Sequence, residues 1–101
     1  MPNKKFGEGR GFQRVTTPLS AVIHDDRGRK FFAMVPNVTA GGICLKIQGK
    51  MPDADRFWVT VHGVGKFRAY VRWNSGHFLG VRFDDDPVEV AQKFRGYLEP
   101  M

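Results

Sequence analysis

The sequence predicts an all-β fold: a six-stranded antiparallel barrel with a short C-terminal helix, preceded by a flexible N-terminal arm. Three observations point there. Apolar residues recur at every second position through most of the chain, as in strands with one face on a core and the other in water. Gly, Asn, Asp and Pro clusters break that alternation at short intervals, where turns belong. The period lengthens to three and four only after Asp86, so no interior helix is left to make parallel crossovers, and six short strands separated by turns favour a small antiparallel barrel over a parallel sheet.

The first hairpin is predicted from Leu19, Ala21 and Ile23 alternating with Ser20, Val22 and His24, followed by a turn at Asp25-Asp26-Arg27-Gly28. The return run, Lys30 to Val35, is rich in β-forming residues and is expected to stop at Pro36, which has no N–H for a ladder. A loop over residues 37–42 follows. Ile43, Leu45 and Ile47 share one face of a third strand. Phe57, Val59 and Val61 do so in a fourth, which turns at Gly63-Val64-Gly65. Lys66 to Trp73 gives the clearest alternation, with Phe67, Ala69, Val71 and Trp73 expected on the core side and Lys66, Arg68, Tyr70 and Arg72 outside. Asn74-Ser75-Gly76 turns the chain into a last strand, Phe78 to Phe83. Asp86 then reads as a helix N-cap with Pro87 in the first turn, and Val90 or Ala91, Phe94, Tyr97 and Leu98 recur at helical spacing.

A chain of 101 residues supports one domain, divided into a basic arm over 1–14 and a barrel with its helix over 15–101. With 42% hydrophobic and 13% aromatic residues, it has the apolar surface that disordered chains lack. No apolar run approaches the ~20 residues that span a bilayer, so a soluble, cytoplasmic protein is expected. The single Cys44 has no partner for an internal disulfide; it reads as a small core residue and fits a reducing compartment.

Sixteen Lys and Arg against ten Asp and Glu give a net charge of +6, which directs attention to anionic partners. Two motifs stand out. Arg10-x-x-x-Arg14 lies in the arm among Gly7, Gly9 and Gly11, and Asn37-x-Thr39-x-x-Gly42 lies in the loop after the second strand, within PNVTAGG. Each spacing is common on its own. Both at this offset, inside a six-strand pattern that ends RAYVRWNSGHFLGVRF, resemble the PilZ domains from Arg10 to about Phe83.

That resemblance implies a PilZ-like barrel that binds the bacterial second messenger cyclic di-GMP, with Arg10, Arg14, Asn37, Thr39 and Gly42 as the ligand-binding residues. The chemistry agrees. The ligand offers two phosphodiester anions and two guanines with N7 and O6 acceptors, and a guanidinium can fork onto either or stack on a base. Asn37 has an acceptor and a donor for a guanine edge or the backbone, and Thr39 has a hydroxyl for a phosphate oxygen or a neighbouring amide. Gly41 and Gly42 permit close approach of backbone to ligand. Thr39 stands where the family most often has Ser, which keeps the hydroxyl and stiffens χ1; Gly11 stands where many members carry another Arg.

The expected function is reception, not catalysis: binding orders the arm, and the signal passes to a separate effector protein. No enzyme motif, metal site or cofactor is indicated. His24-Asp25-Asp26 sits on a predicted turn, and Asp84-Asp85-Asp86 on a predicted helix start. Two alternatives are a PilZ-like interaction module that binds no nucleotide, and a small barrel that binds single-stranded nucleic acid through the row Lys66, Arg68, Tyr70 and Arg72.

Overall fold

The alternation in the sequence becomes a wall of paired strands. The computed structural model describes residues 13–39 and 41–97, with side chains described over 19–38 and 41–97. Its elements are β1 (Gln13–His24), β2 (Lys30–Thr39), β3 (Gly42–Gln48), β4 (Arg56–Val61), β5 (Gly65–Ser75), β6 (Phe78–Phe83), a helix α1 (Pro87–Phe94) and a 3₁₀ turn (Arg95–Tyr97). The strands are antiparallel and close in the order β1-β2-β3-β6-β5-β4, with β4 returning to β1 through Ala21 opposite Val61 and Ile23 opposite Val59. The closed, antiparallel, six-stranded barrel with a short C-terminal helix is the architecture the sequence predicts. Closure pairs each of the six described strands on both sides, so none of them is left as an edge to template aggregation.

The inward residues form one core. Ile23, Ile43, Leu45, Phe57, Val59 and Phe67 are fully buried within it. Helix α1 adds Val90 and Phe94 to the same cluster, whereas Ala91 is exposed. Phe67 stacks on Phe83 at 4.3 Å between ring centroids and on Phe94 at 5.8 Å, near-parallel contacts that join the helix to the barrel core. Asp86 caps the helix as expected: its Oδ1 accepts the Val88 N–H at 2.9 Å, with Pro87 in the first turn. Cys44 is buried, and burial pushes its thiol pKa up, so it is an inert residue of the wall.

Three local expectations are corrected, each by strand irregularity. First, β2 does not end at Pro36. Met34 and Asn37 of β2 pair with Lys46 and Cys44 of β3, so β2 carries one extra residue there and Pro36 sits in the bulge, where no ladder N–H is required of it. Residues 37–39 are therefore strand and not loop. Second, Trp73 is not on the core side. Val71 pairs with Val81 and Trp73 with Gly80, so Arg72 is an extra residue that reverses the alternation and leaves Trp73 46% exposed. Third, β1 begins at Gln13, well before Leu19. Its register with β2 is irregular between Arg14 and Leu19, which is why no clean alternation marks this stretch of sequence.

Candidate functional site

The strand registers bring the second motif together with half of the first. Arg14 of β1 is the cross-strand partner of Asn37 in β2. Asn37 pairs in turn with Cys44 of β3, Cys44 with Gly80 of β6, and Gly80 with Trp73 of β5. A parallel row, two residues along on β2, β3 and β6, runs from Thr39 through Gly42 and Arg82 to Tyr70 and Arg56. Positions two apart on a strand share a face, so Asn37 and Thr39, Cys44 and Gly42, and Gly80 and Arg82 stand side by side on β2, β3 and β6, while each row, crossing five of the six strands, continues round the barrel. Arg10 lies outside the described residues, as do residues 1–12 of the expected arm. Arg14, expected on that arm, stands in strand backbone. Asn37 is half-buried and Gly42 buried.

Glycine is required where β3 meets β6. A Cβ at Gly42 would run into the carbonyl oxygen of Val81, so only glycine permits that approach. Gly41, with φ of 78°, is in the left-handed region. Its carbonyl accepts the Phe83 N–H at 2.8 Å. A Cβ built on Gly41 would lie 3.7 Å from both Nε and Nη2 of Arg82, which places that guanidinium beside the motif's glycine pair.

Arg82 and Trp73 are the residues that sequence reasoning missed here. Arg29 is held by Asp25 and Asp53 at 2.6 and 2.7 Å, and Arg56 by Asp84 at 2.7 Å. No hydrogen bond or ion pair holds Arg82 among the described residues, so its donors stay open to an anion. The Trp73 indole lies against the β6 backbone at Gly80, where a Cβ would occupy the same space. The signal for Arg82 was its outward position in GVRF, but only the β3–β6 pairing shows what it stands beside. For Trp73 the bulge hid the signal.

The remaining candidates have structural explanations. Asp25 belongs to the β1–β2 turn: Oδ1 accepts the N–H groups of Arg27 and Arg29 at 2.9 Å, and Oδ2 accepts from Arg29 Nε at 2.6 Å. Burial pushes this carboxyl up, but the hydrogen bonds from Arg29 and Arg27 outweigh it and hold the pKa below the ordinary value. Lys66, Arg68 and Tyr70 do face outward on β5, and the Trp58 ring lies under the first two, with Lys66 Nζ at 4.7 Å and the Arg68 guanidinium at 5.2 Å from its centroid. Among the described residues no helix is long and apolar enough to cross a membrane.

No curated protein matches the chain. The family model described as PilZ domain matches residues 8–99, nearly the whole sequence; joined to the closed six-stranded barrel, that match shows that the chain belongs to the PilZ domain family.

Proposed function

We propose that this protein is a bacterial receptor for cyclic di-GMP that works as a cytoplasmic adaptor, its signal passing to a partner protein when the nucleotide orders the segment before β1. The observation that carries the reading is the pairing of Arg14 with Asn37, which ties the RxxxR and NxTxxG motifs together by backbone register before any ligand arrives. Family membership supports the ligand, since these domains are generally linked to cyclic di-GMP.

Each residue has a task that suits its chemistry. Arg10 and Arg14 fork onto phosphate oxygens or guanine N7 and O6. Asn37 reads a guanine edge, the Thr39 hydroxyl serves a phosphate oxygen, and Gly41 and Gly42 leave room for the ligand to approach the backbone. Arg82, whose guanidinium lies beside Gly41, adds a second source of positive charge from the wall itself. Trp73, half-exposed and braced on Gly80, offers a flat face to a guanine. The activity is binding, with no reaction to follow.

Amide NMR of the labelled protein titrated with cyclic di-GMP tests the placement. Shifts concentrated at residues 13–14, 37–42, 73 and 80–82 are the expected result. Saturable binding with shifts confined to other strands would overturn the site.

A further inference from the structure

Among the described residues, each of the six strands carries at least one Lys or Arg and none carries an Asp or Glu. The carboxylates sit in turns, loops and the helix, and three of them are already paired with arginine: Asp25 and Asp53 with Arg29, and Asp84 with Arg56. The outer wall is thus cationic by construction, well beyond the two motif rows. One region of it, toward the opposite end of β1 and β2, adds exposed aromatic surface to the charge. Trp58 of β4 pairs with His24 of β1, which pairs with Lys30 of β2. Two residues along, Phe32 is 57% exposed; with Lys30 and Lys50 it lines an open cleft of about 470 Å³. At the other side of the region, Lys66 and Arg68 lie over Trp58. At about 4.8 Å between strands and 3.3 Å per residue, Trp58 and Phe32 are on the order of 10 Å apart, the span of three or four extended residues.

We infer that this face, from Trp58 to Phe32, docks an acidic, extended segment of a partner protein. Its carboxylates meet Lys66 and Arg68 at one side and Lys30 and Lys50 at the other, and an apolar side chain enters the Phe32 cleft. The inference rests on the adaptor half of the proposed function and is independent of nucleotide binding. A polyanion is favoured by the absence of carboxylates from the strands. A protein is favoured over single-stranded nucleic acid by how the ring is used: base stacking needs an open aromatic face, and Trp58 already carries two cations of its own chain. Held there, the cations lose less freedom on meeting a carboxylate than free side chains would. The exposed Phe32 ring, beside the cleft it lines, gives an apolar side chain a surface to cover.

The test is an NMR titration of the labelled full chain with a synthetic peptide of about twelve residues, Asp and Glu flanking a central Leu, long enough to cross the face. Two controls accompany it: the same peptide with Asn and Gln for the acids, and a thymidine oligonucleotide of similar length. Saturable shifts of the Trp58 indole N–H and the Phe32 amide with the acidic peptide alone are expected. Lys66→Glu with Arg68→Glu should weaken the peptide roughly tenfold or more, and the Gln versions less. Lys93→Glu with Arg95→Glu, the same change of charge placed on and just after the helix, should stay within about twofold at physiological salt. Thermal melting checks that each variant is folded. Cyclic di-GMP affinity of the Lys66→Glu, Arg68→Glu variant should stay within about twofold, so that loss of docking and loss of nucleotide binding are read separately. Shifts scattered over the surface, equal weakening by the helix variant, or an oligonucleotide that moves the Trp58 signal and binds more tightly than the peptide would each overturn the inference.

Discussion

Arg14 and Asn37 face each other across the first hairpin as cross-strand partners of β1 and β2. One belongs to the arginine motif and the other to the asparagine motif, so backbone pairing, and not the ligand, brings the two motifs together. On this account the free protein already holds half of its site. In the proposed mechanism, binding brings in Arg10 and orders the segment that carries it, at the entropic cost of fixing those residues.

Hydrogen exchange reads that step. Amides preceding Gln13 are expected to exchange more slowly when cyclic di-GMP is bound, while the β2 and β3 amides change little. Equal exchange with and without the nucleotide would defeat the ordering mechanism.

Arg82 is a test of the wall. Arg82→Ala removes a guanidinium that no described partner holds, so the fold should tolerate it. Affinity for cyclic di-GMP should fall roughly tenfold, the scale of one charge-assisted hydrogen bond at ~1.5 kcal/mol. Calorimetric titration beside a melting curve checks both halves; unchanged affinity would remove Arg82 from the site.

Gly42 and Gly80 should separate under the same substitution. At Gly42 a Cβ meets the backbone of Val81, whereas at Gly80 it meets the movable indole of Trp73. Gly42→Ala should therefore cost about 1–3 kcal/mol or more in urea unfolding, and Gly80→Ala less, with a change in tryptophan fluorescence as the ring is displaced. A Gly42→Ala variant as stable as the wild type would contradict the tight β3–β6 approach.

The Asp25 turn sets a pH dependence. With the hydrogen bonds from Arg29 and Arg27 outweighing burial, the folded-state pKa lies below the ordinary carboxylate value. The stability this contributes is present above about pH 4, the unfolded value, and is lost as pH falls through the depressed one. Asp53, lowered by its bond to Arg29, acts in the same direction. Urea midpoints should fall on acidification below that value, and Asp25→Asn should flatten the fall. Parallel curves for the two proteins would contradict the assignment.

Phe94 ties the helix to the barrel. It is fully buried and stacks near Phe67, so Phe94→Ala should cost about 3 kcal/mol or more. A cost below about 1 kcal/mol would mean that the helix is not part of the core.

Much of this fold was legible because its signals are local. Ile43, Leu45 and Ile47 alternate within one strand, and Asp86-Pro87 is a cap by its own chemistry, so both were readable from adjacent residues. The errors occurred where two strands must be compared. Nothing in the order of Val71, Arg72 and Trp73 says that Arg72 is an extra residue; only the partner β6 reveals it. Pro36 resembles a strand end because its missing N–H matters in a regular ladder, and the bulge against β3 removes that requirement. The candidate site follows the same rule. Asn37, Thr39 and Gly42 announce themselves by spacing, whereas Arg82 beside Gly41 and Trp73 on Gly80 become visible only once β6 is known to lie between β3 and β5.

The central claim is that the paired motifs bind cyclic di-GMP, and isothermal titration of the wild type beside an Arg14→Ala, Asn37→Ala double variant tests it most directly, with GMP as the control ligand. The account predicts saturable binding by the wild type, loss of that binding in a variant that still melts cooperatively, and no binding of GMP. A folded wild-type protein that gives no heat and no spectroscopic change with cyclic di-GMP, or a double variant that binds it as tightly as the wild type, would contradict the account.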